Sequence, residues 1–443
     1  MRRHLSNAAY GVLDYASYPA AMFLVAPIVL RRLGGAEYGL WIVSASVISA
    51  GGILASGCCD VAMQRVARLR GENRIDAARH TVRSLLTINF VCGLLIMIVV
   101  WFAAGIIANR ISTSRPISVS ECLYSIRISG TCILLRAIDS VAVITHRAFE
   151  QYRVSVQISV ISRILTLTSA AVLASMGFRV VAIVVATGLA LLAGVVLQFV
   201  RLRDHFGVLP LLPTFDTSEI AVLLRPGVFA WMQSVCGVAF GQLDRILLAV
   251  SFDAGALAPY AVCVQFAQPI FGLAASGLHF IFPLISRRSH KLESNSLLQL
   301  LAKSVACNLL VVVIPAIGLL AYGNTAIHKW SGGEIREQAL AILAPVVLSS
   351  ALMGMGVTGT YAMQALGRFR TVALLSAGGR IAALLLLICL LPHWGVQGVL
   401  LARICLGATA LLVYVPLLHY VWRSTPTRRS SSIAAVQMQE KPL

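Results

Sequence analysis

Residues 30–68 read LRRLGGAEYGLWIVSASVISAGGILASGCCDVAMQRVAR. A short charged turn opens the stretch, an apolar run long enough to cross a bilayer follows, and arginines close it. A worn copy lies 220 positions later. Gly35-Ala36 returns as Gly255-Ala256, Gly52 as Gly272, Ala55-Ser56-Gly57 as Ala275-Ser276-Gly277, and Arg68 as Arg288. The echo predicts a duplicated membrane protein whose function lies between two halves.

Composition supports a membrane setting. The chain has 443 residues, 58% hydrophobic and 12% charged, with mean hydropathy +0.85. Soluble domains carry about 25% charged residues, so a soluble enzyme is excluded. A hydrocarbon core of about 30 Å needs roughly 20 apolar residues per crossing helix. Such runs place spans near 8–30, 39–62, 84–108, 119–145, 154–176, 180–201, 226–249, 258–285, 297–322, 338–363, 371–392 and 396–422. Met1–His4 is basic, but the helix after it has no small-residue cleavage site and belongs to the array. The expected fold class is an all-α polytopic membrane protein with two parallel six-helix repeats forming two lobes around a central cavity.

The net charge of +19 does not point to nucleic acid, because the arginines sit in short loops between spans, where they set topology. With the N-terminus inside, twenty-three lysines and arginines fall on the cytoplasmic side and seven outside. That bias predicts that both termini are cytoplasmic. The repeat continues: Arg83-Ser84 matches Lys303-Ser304, Ala148–Arg153 matches Ala365–Arg370, and at that last offset of 217 Arg163 falls on Arg380. Six spans return the chain to its starting side, so the halves run parallel, with the substrate path expected at their interface. The predicted organisation is an N-terminal lobe over 1–205, a cytoplasmic linker with a short surface helix over 206–225, a C-terminal lobe over 226–423, and a disordered tail over 424–443.

Charge inside a bilayer costs about 2.5–3.5 kcal/mol per residue at mid-membrane, so each such residue is a functional candidate. Six arginines fall within spans (Arg127, Arg136, Arg163, Arg245, Arg380 and Arg403) against Asp14, Asp139 and Asp244, with Asp60 near a span end. An excess of fixed positive charge suits an anionic cargo. Arg163 and Arg380 each lie about nine residues into a helix, near the midplane, and the repeat would let both face one cavity. Guanidinium forks bind phosphate oxygens in pairs. The competing reading pairs each arginine with partners inside its own half. Arg136 and Asp139, three apart on one helix face, either neutralise each other or act in gating or ion coupling. Asp244 and Arg245, towards the outer end of their span, point differently and need separate partners; they either snorkel to the interface or line the cavity, Arg245 as a substrate-binding candidate and Asp244 as one for gating or ion coupling. Arg127 and Arg403 lie towards the outer leaflet as further cavity candidates. Asp14 either carries a coupling ion or sits as an interfacial carboxylate.

No catalytic constellation, metal-ligand spacing or cofactor motif is present. The ten cysteines form no CxxC pair and read as small packing residues. Gly51-Gly52 and Gly378-Gly379 lie inside apolar runs, where glycine serves close helix packing. Prolines within the spans, among them Pro19, Pro27, Pro283, Pro315 and Pro345, predict bends.

RRLGGAEYGLW at 31–41, ALGRFR at 365–370 and the Asp244-Arg245 pair carry a resemblance over roughly residues 5–422. The chain resembles the polysaccharide transporter family, the O-antigen and exopolysaccharide flippases of the multidrug/oligosaccharidyl-lipid/polysaccharide exporter superfamily. That resemblance implies two six-helix lobes forming a V around a cationic cavity. It implies movement of a polyprenyl-diphosphate-linked oligosaccharide to the periplasmic leaflet of the bacterial inner membrane, driven by an ion gradient. Membrane lipids and the glycosyltransferases and polymerase of the same pathway are the implied partners. A multidrug and toxin extrusion antiporter is the alternative, although that class expects cation-binding acids inside its lobes. A membrane-embedded glycosyltransferase or polymerase is a further alternative, and it expects a long extramembrane loop.

Overall fold

A computed structural model describes residues 2–112, 117–207, 212–252, 254–277, 294–331, 335–366 and 368–423. Twelve helices and no strands occur among them: α1 (Arg2–Ala55), α2 (Cys59–Gly71), α3 (Ile75–Ile111), α4 (Val119–Ala148), α5 (Tyr152–Ser175), α6 (Val180–Phe206), α7 (Thr217–Ser251), α8 (Ala254–Gly277), α9 (Ser294–Ser331), α10 (Arg336–Ala365), α11 (Phe369–Leu411) and α12 (Tyr414–Arg423). Nine helical stretches among the described residues are long and apolar enough to cross a membrane. Two of them, Pro19–Ala55 and Arg370–Tyr420, are broken at Gly34 and Gly395. Counting each broken helix as two crossings and adding the 35-residue α7 reproduces the twelve expected spans. The chain is a multi-pass, all-α membrane protein.

The sharpest breaks fall at glycines, where prolines were expected. Gly34 has φ 79° and Gly395 has φ 58°, a left-handed geometry that side chains with a Cβ resist. Gly177, between α5 and α6, has φ 83° and stands 218 positions before Gly395. The duplication therefore repeats its turn chemistry as well as its charges. Pro27 acts more quietly. Lacking an N–H, it leaves the Phe23 carbonyl without its donor four residues on. The Trp330 indole supplies one at 3.0 Å, and the two rings meet at 5.8 Å. Arg31 caps the end of the same helix, α9, donating to the carbonyls of Lys329 and Trp330. Pro283 lies outside the described residues.

Helix ends follow local chemistry. Ser118 and Glu121 form a reciprocal capping box at the start of α4, the motif that satisfies two orphan N–H groups at once. Asp216 caps α7, accepting from the amides of Ser218 and Glu219. Hydrogen bonds from Ser218 hold its carboxyl below the usual carboxylate range. The surface helix expected in the linker is the first turns of α7. α2 buries Cys59, Ala62, Val66 and Leu69, a three-and-four spacing that forms one apolar face. Its other face carries Arg68, which pairs with Glu72 at 2.9 Å.

The chain divides into two compact units. The first is Met1–Gln265 with Thr325–Ala339 and Leu391–Val396; the second is Phe266–Asn324, Leu340–Leu390 and Gln397–Leu443. Within the first unit α3 packs on α4, α4 on α6, and α1 on α4, α5 and α7. Glycine permits several of these approaches. A Cβ on Gly51 would sit 2.3 Å from Ile133, and one on Gly57 1.8 Å from the Trp231 ring. In the second unit a Cβ on Gly379 would meet Thr409 at 2.6 Å, while Gly378 faces open space.

Each unit also holds a buried amide, the two standing 219 positions apart, one short of the repeat offset in these helices. Asn89 Nδ2 donates from α3 to Ala137 O on α4 at 3.1 Å. Asn308 Nδ2 donates from α9 to Gly354 O on α10 at 3.0 Å. Both side chains are sealed, at 0% and 2% exposure. Replacing either with alanine should lower stability by about 1–3 kcal/mol, the cost of breaking buried hydrogen bonds. Thermal unfolding in detergent checks this; wild-type stability in both variants would show that these amides do not hold the helix pairs.

Candidate functional site

A cavity of about 610 Å³ lies inside the first unit, walled by α1, α4, α5, α6 and α7. Its charged lining is Arg136, Asp139, Arg163 and Arg245. α4 supplies two of these. Arg136 Nη1 reaches Asp139 Oδ2 at 3.6 Å, three residues apart on one face, with the arginine side chain 39% exposed and the aspartate 15%. A Cβ on Gly52 of α1 would meet Arg136 Cβ at 3.1 Å, so the small residue there admits the base of the arginine.

Arg163 comes from α5, and its Nη1 donates to Ser17 Oγ on α1 at 3.1 Å. Arg245 comes from α7, next to Asp244, and the two diverge as expected. Asp244 is fully buried and accepts from the Tyr260 hydroxyl of α8 and from the Arg245 amide. Asp244 is thus held in the packing between α7 and α8, and Arg245 is left to the cavity wall. The wall carries three guanidiniums and a single carboxylate. Guanidiniums gathered on one wall suit an anion, whose oxygens they bind through paired hydrogen bonds.

The remaining polar wall is uncharged. Ser162 Oγ donates to Ala190 O at 3.0 Å, Thr166 Oγ1 to Ser162 O at 2.9 Å, and Thr187 Oγ1 to Ile183 O at 2.9 Å. With their protons turned back to helix carbonyls, these hydroxyls present lone pairs. Gln242 Nε2 approaches Ser49 Oγ at 3.4 Å, and Gln198 on α6 donates to Ser155 O at 3.2 Å. Sequence reading missed both glutamines. Gln198 is an amide in the middle of the apolar run LLAGVVLQFV, which is the signal that marks it.

Arg380 lies elsewhere. It lines a cavity of about 210 Å³ inside the second unit, with Ser376, Thr409, Thr360 and Tyr361 as polar neighbours. The structure therefore gives each symmetry-related arginine a cavity in its own unit. Arg127 and Arg403 line neither cavity. The Arg127 guanidinium sits 5.7 Å from the Trp101 ring, a cation–π contact. Ser349 Oγ donates to the Arg403 carbonyl at 2.8 Å. The Asp14 side chain lies outside the described residues. Among the described residues no group of three potential metal ligands occurs.

Known structures share this architecture. An inward-facing multidrug resistance MATE family transporter of the MOP superfamily matches with TM-score 0.73 and 12% identity over 94% of this chain and 96% of that one. Lipid II flippase MurJ, in an inward closed conformation, matches with TM-score 0.75 and 13% identity over 93% and 87%. A MOP superfamily transporter from Pyrococcus furiosus, described by the reverse polarity of its binding pocket, matches with TM-score 0.51 and 12% identity over 94% of this chain and 93% of that one. No curated protein matches at sequence level. Residues 28–332 do match a family of polysaccharide biosynthesis proteins, and a multi-pass chain with this transporter fold and an arginine-lined cavity belongs to that family.

Proposed function

We propose that the protein is a flippase that moves a polyprenyl-diphosphate-linked oligosaccharide from the cytoplasmic to the periplasmic leaflet of the bacterial inner membrane, feeding cell-surface polysaccharide synthesis. The observation that carries this reading is the 610 Å³ cavity, whose described lining brings Arg136, Arg163 and Arg245 together with Asp139. Guanidiniums bind phosphate oxygens through paired hydrogen bonds, and a water-poor site strengthens each of them. A cation antiporter is disfavoured by the same wall, since three fixed positive charges repel its cargo. Family membership in polysaccharide biosynthesis and the likeness to a lipid II flippase support the lipid-linked cargo.

The cycle we infer is alternating access by lobes 1–205 and 226–423, joined by 206–225 and driven by an ion gradient. Arg380 serves in the second lobe as Arg163 does in the first. Asp139, the acid that neutralises Arg136, is the residue best placed for ion coupling. The excess of basic residues on one side of the spans supports cytoplasmic termini. The glycosyltransferases that build the cargo and the polymerase that consumes it are the partners on either face. The reading requires no enzymatic step and no cofactor from this chain.

Deleting the gene tests the proposal directly. Polyprenyl-linked oligosaccharide should accumulate in the cytoplasmic leaflet, and plasmid-borne wild type should clear it. Normal surface polysaccharide with no accumulated intermediate would sink the flippase reading.

A further inference from the structure

Beyond residue 265, only Thr325–Ala339 and Leu391–Val396 belong to the first compact unit. Both connect expected spans, and the charge bias of the loops places them on the side opposite the termini. The inner turn between α10 and α11 stays with the second unit. The end of α9 is held to α1 by named bonds. Arg31 donates through Nε to Trp330 O at 3.2 Å and through Nη2 to Lys329 O. The Trp330 indole donates to Phe23 O at 3.0 Å. Just past the Gly34 break, a Cβ on Gly35 would rest 3.7 Å from Ile335 and 3.9 Å from Ala258.

These bonds use acceptors that neither helix needs. Lys329 and Trp330 fall in the last turn of α9, which ends at Ser331, and the final carbonyls of a helix have no donor within it. Phe23 O is free because Pro27 lacks the N–H that would reach it. α1 and α9 can join or part with every internal hydrogen bond kept. Arg31 and Phe23 are also exposed, so water replaces the lost partners on parting and the net cost per bond is small. The sealed amides of Asn89 and Asn308 have no such substitute. Wet, replaceable bonds gathered at one end of two helices make a fastening that can open and close.

We propose that Arg31 and Trp330 form an outer latch. It holds the ends of α1 and α9 together while the arginine-lined cavity is shut to the periplasm, and it parts when the cavity opens outward. The latch rests on the alternating-access reading, in which α1 belongs to one lobe and α9 to the other. Arg31 then differs in task from the cavity arginines: it meets helix carbonyls and no cargo.

Access from outside tests the latch without using cargo. Ala45, on the cavity wall, is replaced by cysteine, and spheroplasts are treated with a membrane-impermeant maleimide. The parent protein gives the background from native cysteines. Arg31→Gln with Trp330→Phe, the latter keeping a ring against Phe23, should speed labelling at position 45 about tenfold. An unchanged rate refutes the latch. If the double variant fails to accumulate in membranes, Arg31→Gln alone alters only an exposed side chain and should speed labelling about threefold; no change there is equally fatal. In a second arm, Phe23→Cys with Trp330→Cys, whose native rings meet at 5.8 Å, is bridged by a short reducible bis-thiosulfonate. Bridging should stop polysaccharide export and reductant should restore it, whereas undiminished export from bridged protein overturns the proposal. If gene deletion leaves no lipid-linked intermediate, the flippase reading falls, and the labelling rates still decide the latch.

Discussion

Glutamine in place of Arg163 should cut polysaccharide export at least thirtyfold while the protein still inserts at wild-type abundance. Truncating one partner of a buried charged pair costs about 2–5 kcal/mol, and 2 kcal/mol is already roughly thirtyfold. Glutamine keeps hydrogen-bonding ability towards Ser17, 3.1 Å from the native guanidinium, so packing of α5 on α1 is disturbed little. Lysine in the same place should fall between the two, because it keeps the charge and loses the planar fork. Adding Arg380→Gln, which strips the second unit's cavity of its cation, should remove the residual export. Surface polysaccharide in a complemented deletion strain gives the readout, with immunoblotting of membranes as the insertion control. Normal export from the double variant would show that these arginines serve their own helices and no cargo.

Alanine at Gly57 should destabilise the protein by about 2–4 kcal/mol, combining overpacking with a lost hydrogen bond. The new Cβ would lie 1.8 Å from Cδ1 of Trp231 and 2.7 Å from its Cβ. A clash at the root of a side chain is not relieved by a rotamer change, so the whole residue must move. Moving it breaks the bond from the indole N–H to Leu54 O, now 2.7 Å, which ties α7 to the end of the second segment of α1. Melting temperature in detergent checks the expectation. With Trp231→Ala present, Gly57→Ala should cost almost nothing more, the non-additivity expected of residues in contact. Equal costs in both backgrounds would show that Trp231 does not occupy this position.

Much of the architecture could be read from residues 30–68 and their copy. Arg163 was singled out through its repeat mate Arg380, and both line cavities. Other features were hidden because sequence shows position along a helix and not what the helix faces. Arg127 and Arg136 look alike in the apolar run of α4, yet one stacks on Trp101 and the other lines the cavity. Gly34 and Gly395 sit among many glycines, and only the backbone shows which of them need a positive φ. Gln198 escaped attention because it carries no charge.

Pro27 and Trp330 stand 303 positions apart, yet they share one hydrogen bond's worth of chemistry. The proline withholds a donor from Phe23 O and the tryptophan returns it. Neither position therefore has a tolerance of its own. Losing the indole orphans the Phe23 carbonyl only while the proline is present, whereas its ring contact with Phe23 is lost in either background. The hydrogen-bond part of the cost at either site therefore depends on the residue at the other, so the order in which substitutions arrive changes what each one costs.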